Sequence, residues 1–224
     1  MEQSENNRLA VEWFSHTLSK AIGEINDMFS SYRISEAFMR IYKLFWDDFS
    51  GWYLEIVKPA YQQPADKTTM EATRHYFDLL MRLVHPFMPF VTEEIWQDLA
   101  PRAEGESIMY APMPKADEVN EALLARFALA TEVITGVRNV RKQKNIAQKE
   151  ALTLNVIEDE NYPKEYAPVI AKMCNLTEIN SITEKEPTAD AFIVKTTQYF
   201  VPMGDKIDVE AEMKKLTDEL TYLE

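Results

Sequence analysis

Apolar residues recur at steps of three and four over the first two-thirds of the chain, and this period changes to alternation after Asn145. Steps of three and four place residues on one face of an α-helix, whereas alternation is typical of a β-strand. The change predicts a mainly α chain, in which a helical bundle precedes a small α+β module. The predicted helices cover residues 7–31, 34–58, 68–84, 89–99 (or from Thr92) and 119–144.

The second predicted helix has the clearest apolar stripe, and Pro59 ends it because proline cannot continue a helical hydrogen-bond ladder. Trp46, Trp52 and Trp96 fit the helical apolar period, so we interpret them as core residues and not as platforms for stacked bases. The stripe consists of Ile34, Phe38, Ile41, Phe45, Phe49, Trp52 and Ile56.

The last third of the chain has shorter elements. Residues 151–157, 176–182, 191–196 and 198–203 have β-like patterns, and residues 162–174 form a short predicted helix. From Val209 to Leu223, apolar residues return at steps of four and three, which is typical of a coiled-coil seam. We therefore predict three domains: a helical bundle at 1–147, an α+β module at 148–205 and the start of a coiled-coil arm at 206–224. We expect the arm to continue beyond residue 224.

The sequence contains none of the catalytic or metal-binding motifs considered below. The chain lacks GxxxxGK[ST], GxGxxG and GxSxG strings, which carry phosphate binding or nucleophilic catalysis in many enzymes. Cys174 is the single cysteine, so neither an internal disulfide nor a thiolate metal cluster is possible. His16, His75 and His85 are not spaced as metal ligands. We predict no catalytic, metal or cofactor site, no membrane segment and a cytoplasmic location.

The net charge of −13 opposes nucleic-acid binding, which needs lysine and arginine to neutralise phosphates. By composition alone the chain is an acidic protein without a polyanionic partner. Residues 136–149 break this pattern, because they contain five basic residues and no acidic one. Arg138 and Lys142 stand one helical turn apart in this run. Basic residues at a helix end also complement the helix dipole, so a purely structural role is the alternative.

Three segments resemble the anticodon-binding region of class I aminoacyl-tRNA synthetases, in the subgroup that charges valine, isoleucine and leucine. They are WDDFSGWYLEIVKP (46–59), HPFMPFVTEEIWQ (85–97) and GVRNVRKQKNI (136–146). Their order and spacing agree with the family, and the resemblance covers essentially the whole chain. The last stretch, VPMGDKIDVEAEMKKLTDELTYLE, resembles the entry into the coiled-coil arm of the valyl members. Isoleucyl members often continue towards a zinc-binding module, whose set of cysteines this chain lacks.

The resemblance implies an enzyme that uses ATP and Mg²⁺ to attach valine to tRNA-Val. The HIGH and KMSKS motifs of its catalytic domain are missing from this chain. We therefore expect a catalytically inactive part that binds the anticodon stem-loop of tRNA-Val, adjoins the missing catalytic domain and is a monomer. The candidate RNA-binding residues are Arg138, Arg141, Lys142 and Lys144, with Arg40, Lys43 and Lys58 as weaker candidates.

Three alternatives stay open at this point. Arg141 projects closer to the apolar stripe than Arg138 does, so its alternative is a buried structural role. The chain could also be the corresponding region of an isoleucyl member. The acidic heptad stretch at 206–224 supports a third possibility, a helical module for protein interaction or dimerisation.

Overall fold

A computed structural model describes residues 2–184 and 189–202 of the protein. The mainly α fold with a small α+β part is confirmed. Two compact units meet at a boundary between Phe127 and Ala128, inside a long helix. Compactness does not define functional domains, so the division at 1–147, 148–205 and 206–224 stays a prediction. The predicted coiled-coil arm at 206–224 lies outside the described residues.

The first unit is a bundle of helices. Three of them follow a residue whose side chain caps the helix: Ser4 accepts a hydrogen bond from the Asn7 backbone N–H, Asp66 accepts one from the Thr69 backbone N–H at 2.7 Å, and Asn120 accepts one from the Leu123 backbone N–H at 3.0 Å. Such caps satisfy backbone donors that have no partner within a helix. The elements are α1 (Glu5–Ser30), α2 (Ile34–Lys43), a π-helical segment (Leu44–Tyr53), α3 (Leu54–Val57), α4 (Lys67–Val84), α5 (Pro89–Leu99), a 3-10 turn (Ile108–Tyr110) and α6 (Glu121–Gln143), which continues into the second unit.

Aromatic side chains fill the core of the first unit. The ring of Phe14 on α1 lies 4.9 Å from that of Tyr53 and 5.1 Å from that of Tyr76 on α4. Trp13 stacks on Phe127 with ring centroids 4.0 Å apart. Aromatic rings bury much apolar area, and tilted or offset pairs add a favourable electrostatic contribution. The helical stripes identified in the sequence therefore meet in one aromatic cluster.

The π-helical segment changes which residues of the second predicted helix are buried. Its i→i+5 hydrogen bonds give more residues per turn than an α-helix has. The residues buried within it, Leu44, Phe49 and Tyr53, are consequently five and four apart. Trp46 is 62% exposed, so the prediction that it is a core residue is wrong. Ile34 and Phe38 also lie at the surface, whereas Trp96 is buried as predicted and Trp52 is half-buried.

The second unit combines the C-terminal part of α6 with a four-stranded sheet. The strand order is β2-β1-β4-β3; β1 pairs parallel with β2 and antiparallel with β4, and β3 pairs antiparallel with β4. The parallel pair is joined through α7, as parallel strands require a crossover. The elements are β1 (Leu152–Ile157), a 3-10 turn (Lys164–Tyr166), α7 (Ala167–Cys174), β2 (Leu176–Ser181), β3 (Ala189–Val194) and β4 (Thr197–Pro202).

Gly136 allows β3 and α6 to pack closely. The ring of Phe192 lies over this glycine, and a Cβ atom built there would be 2.3 Å from the Phe192 Cε2 atom. Phe192 in turn stacks on the buried Tyr199, with ring centroids 5.1 Å apart. The basic end of α6 is therefore held against the sheet by a contact that only glycine permits.

Candidate nucleic-acid interface

Arg138 and Lys142 lie one turn apart on the exposed side of α6. Both side chains face solvent, whereas Val140 and Arg141 between them, and Val137 just before them, are buried. Residues four apart on a helix are neighbours on its surface. Within residues 2–184 and 189–202, Lys142 takes part in no ion pair. This part of α6 therefore offers two adjacent cations to a ligand.

Arg141 points to the opposite side of α6 and is only 3% exposed. Its guanidinium donates hydrogen bonds to the backbone carbonyl oxygens of Ala147 at 2.9 Å, Glu150 at 2.8 Å and Cys174 at 2.7 Å. Burial lowers the pKa of Arg141 from its ordinary value, against the opposing influence of Cys174 and Glu150. An arginine stays charged in proteins nonetheless. Arg141 is thus a buried structural cation, which was the alternative interpretation of its sequence position.

Carbonyl groups at a helix end accept two of the hydrogen bonds of Arg141. Cys174 is the last residue of α7, and Asn175 after it adopts the left-handed conformation with φ 50°. The final carbonyls of a helix lack intrahelical partners and carry the negative end of its dipole. Arg141 therefore joins α6, the end of α7 and the segment 144–150 without a carboxylate partner among its hydrogen bonds.

Lys144 is held by an acidic residue of the sheet. Its Nζ lies 3.6 Å from the Asp190 Oδ2 atom on β3, and only 21% of its side chain is exposed. This ion pair neutralises part of the charge that the sequence assigned to RNA binding. Lys149, further along the same segment, is exposed and belongs to the basic run, although the sequence did not single it out as a candidate.

The three weaker candidates lie in the first unit, and two of them have acidic partners. Arg40 donates to Glu24 at 2.6 Å and lies 3.6 Å from Asp48. Lys58 pairs with Glu55 at 3.3 Å on the protein surface. Lys43 is exposed, and the described residues contain no ion pair for it. Arg40 and Lys58 are therefore partly neutralised within the first unit.

The comparison with protein families is decisive for the chain as a whole. Residues 11–157 match the family described as the anticodon-binding domain of tRNA ligase. This chain belongs to that family. The matched range contains all of α6, the following segment with its lysines, and β1. The exposed pair on α6 is therefore part of the anticodon-binding domain.

Curated relatives place this anticodon-binding domain within one kind of ligase. The chain is 53% identical over 220 residues to the valine–tRNA ligase of Parabacteroides distasonis, covering 98% of this chain and 25% of that protein. It is 49% identical over 222 residues to that of Phocaeicola vulgatus, and 32% identical over 215 residues to that of Thermotoga maritima. These alignments cover 99% and 95% of this chain, and 25% and 24% of the two proteins. The chain thus spans about a quarter of the length of the relatives it matches, in their C-terminal part.

Two further features describe the domain. None of its helices within residues 2–184 and 189–202 combines the length and the apolar character that a membrane crossing would need. Histidine, cysteine, aspartate and glutamate side chains form no group of three that could hold a metal ion in the described part of the chain.

The sequence missed one pair of aromatic residues that the structure exposes. Tyr42 and Trp46 are 50% and 62% exposed, and their rings are nearly parallel with centroids 6.4 Å apart. The apolar period concealed them, because a regular α-helix was assumed through the π-helical segment. A spacing of five between buried residues, as between Leu44 and Phe49, is the signal that could have revealed them.

Proposed function

We propose that this chain is the part of a valine–tRNA ligase that binds the anticodon side of tRNA-Val, and that Arg138 and Lys142 contact the RNA. The observation that carries the proposal is the exposure of these two cations on one face of α6, within the range that matches the anticodon-binding family. Since the chain carries a net charge of −13, RNA binding requires such a local concentration of positive charge.

The chemistry of the pair suits a structured RNA. Arginine and lysine side chains neutralise backbone phosphates and release bound counterions, which gives salt-dependent affinity. The bases of an anticodon loop are unstacked, so a protein can read them by stacking and by hydrogen bonds to their edges. Arg138 and Lys142 supply the phosphate contacts. Specificity comes from contacts to the bases, which this pair does not supply.

The other basic candidates have smaller roles in this proposal. Arg141 is left out of the RNA-contacting set because its guanidinium is buried and both of its terminal nitrogens donate to backbone carbonyl oxygens. Lys144 contributes only if RNA displaces Asp190 from it. Lys43 is the better of the first-unit candidates, since Arg40 and Lys58 have acidic partners.

The remaining activity belongs to the part of the enzyme outside this chain. ATP and Mg²⁺ would act in its catalytic domain, so this chain neither activates valine nor edits. The relatives named above are valine–tRNA ligases, which supports valine over the isoleucine alternative. We further propose a monomeric enzyme in the cytoplasm.

The experiment measures the affinity of the chain for tRNA-Val at about 0.1 M salt. The double substitution Arg138→Glu and Lys142→Glu places two negative charges against phosphates, so we expect the affinity to fall tenfold or more, a rough figure for losing two phosphate contacts. The matched control is Lys164→Glu with Lys195→Glu, which changes the net charge equally at exposed positions elsewhere in the second unit. Equal losses in both variants would show a general charge effect and reject the assigned contacts.

A further inference from the structure

An apolar groove of about 300 Å³ lies in the first unit, between α2, the π-helical segment, α4 and α5. Phe38, Tyr42 and Trp46 line one side, and Phe87, Met88 and Val91 contribute from the turn before α5 and from α5 itself. The Thr92 hydroxyl at its edge already donates to the Met88 carbonyl oxygen at 2.8 Å. The groove is therefore a surface for apolar contact.

The lining residues are unusually exposed for their chemistry. Phe38 is 39% exposed, Tyr42 50%, Trp46 62%, Met88 52% and Val91 41%. Isolated apolar residues at a surface are ordinary, but a contiguous set of this kind marks a site that another molecule or segment covers. The stripe from Phe38 to Trp46 runs for about 12 Å, at the helical rise of ~1.5 Å per residue. This length fits about two turns of an apolar helix, or a short extended segment.

The chemistry of the groove favours protein over RNA as its occupant. Surfaces that stack single-stranded bases combine aromatic rings with lysine or arginine, which hold the backbone phosphates. The lining contains neither lysine nor arginine. Arg40, which lies on α2 between Phe38 and Tyr42 in sequence, is paired with Glu24 and Asp48. An RNA segment would therefore meet aromatic faces here without phosphate partners.

We infer that this groove is the seat of apolar side chains from the part of the valine–tRNA ligase polypeptide that lies outside these 224 residues. The relatives hold the matched region within proteins about four times as long, since the match spans 25% of their length. A segment of the same polypeptide is present at a high effective concentration, which favours it over a second copy of the chain. The inference rests on the proposed membership in such an enzyme, and not on the RNA contacts of α6.

Methionine oxidation tests this inference without any substitution. Met88 in the groove is 52% exposed, and Met109 in the 3-10 turn is 72% exposed and does not line the groove. Peroxide oxidises exposed methionines, and mass spectrometry locates the sulfoxides. The ratio of Met88 to Met109 oxidation is measured in this chain, and again after the chain is joined to the other three-quarters of the Parabacteroides distasonis enzyme.

We expect the ratio to fall at least about fivefold in the joined protein, because the thioether of Met88 becomes covered. An unchanged ratio would overturn the inference. Protection of Met88 in the separate chain by added tRNA would assign the groove to RNA, and protection that rises with chain concentration would assign it to a second copy. Either result overturns the inference as well, whereas loss of tRNA binding by the α6 variant leaves it untouched.

A second measurement guards against a joined protein that alters Met109. Trp46→Cys and its control Tyr110→Cys, which replaces an 82% exposed side chain, are labelled with a maleimide in both proteins. Cys174 does not compete, since it is fully buried. The Trp46→Cys thiol should react as readily as the control in the separate chain and markedly more slowly in the joined protein. Equal rates in the joined protein would contradict the inference.

Discussion

The two units treat their arginines differently. In the first unit, Arg40 is paired with Glu24 and Asp48, while Arg82 and Arg102 share Asp78. In the second unit, Arg141 is more deeply buried, yet its hydrogen-bond acceptors are all backbone carbonyl oxygens. An arginine paired with carboxylates adds little net charge to its surroundings, whereas one held by carbonyls keeps its full positive charge.

This difference explains how an acidic protein can present a basic surface. The backbone carbonyl groups of Ala147, Glu150, Cys174 and Asn175 accept the hydrogen bonds of Arg141, and no carboxylate is among these acceptors. Arg138 and Lys142 lie on the other side of α6, where they are exposed. In the first unit, carboxylates neutralise Arg40 and Arg102, whereas the exposed Arg74 donates to the Leu99 carbonyl oxygen. This exposed pair on α6 supports the proposed RNA contact at the second unit, although the net charge of the chain opposes nucleic-acid binding.

The largest expected effect is that of Arg141→Met. The substitution keeps an apolar stem but removes the guanidinium and leaves buried carbonyls without donors, which should lower the free energy of unfolding by about 3 kcal/mol. Urea unfolding checks this, with the reaction of the buried Cys174 thiol as a probe local to the second unit. Burial raises the pKa of Cys174 to about 12, although Arg138 and Arg141 oppose this, so the folded thiol reacts slowly.

The exposed neighbour provides the control for this prediction. Arg138→Met removes an equal charge at the surface and should change the free energy of unfolding by less than about 0.5 kcal/mol. Similar losses from both substitutions would mean that the carbonyl contacts of Arg141 do not stabilise the second unit.

Substitutions of one helical glycine in each unit should change the free energy of unfolding by an intermediate amount. Gly136→Ala forces a Cβ atom against the stacked Phe192 ring, and we expect a net destabilisation of about 1–2 kcal/mol from overpacking. Gly23→Ala in α1 should instead stabilise by up to about 1 kcal/mol, because its Cβ would lie at an ordinary 3.7 Å from Ala116 Cβ. Thermal unfolding measures both. A combined Gly136→Ala and Phe192→Leu variant should recover stability, and a failure to recover would assign the loss to another cause.

Much of the fold could be predicted from the sequence because hydrophobic period determines element type. The first strand was predicted to within one residue, and the helix Pro89–Leu99 was predicted to its last residue, with its start left between Pro89 and Thr92. The π-helical segment could not be predicted, because its hydrogen bonding depends on how the surrounding aromatic side chains pack. Trp46 was assigned to the core although the stripe through Ile41, Phe45 and Phe49 does not include it, and it lies at the surface.

The candidate site was predicted in outline only. The basic run and the outward pair on α6 were visible, since residues four apart share a helix face. The partners of the remaining cations were not visible, because they are distant in sequence: Asp190 for Lys144 and Glu24 for Arg40. Only the tertiary structure could separate exposed cations from neutralised ones.

The smallest expected effect is on the unfolding free energy at low pH, through the carboxyl group of Asp66. Burial opposes the charge of Asp66, but hydrogen bonds from the Thr69 backbone N–H and the Asn7 side chain outweigh it and hold the pKa of this carboxyl below its ordinary value. A lowered pKa contributes stability that is present above the unfolded pKa of about 3.9 and is lost as the pH falls through the folded value. The Asp66→Asn variant lacks this contribution, so its unfolding free energy should fall less than the wild type's between pH 6 and the acid limit. Parallel pH profiles would contradict the assignment.

The salt dependence of tRNA-Val binding tests the contrast between the two units most directly. Neutralising Arg138 and Lys142 together, as Arg138→Gln and Lys142→Gln, should reduce the slope of log affinity against log salt by about two, one for each phosphate contact. The same treatment of the first-unit residues, Lys43→Gln and Lys58→Gln, should reduce it by less than about one. An unchanged slope for the α6 variant, or a larger reduction for the first-unit variant, would contradict the claim that the second unit holds the RNA.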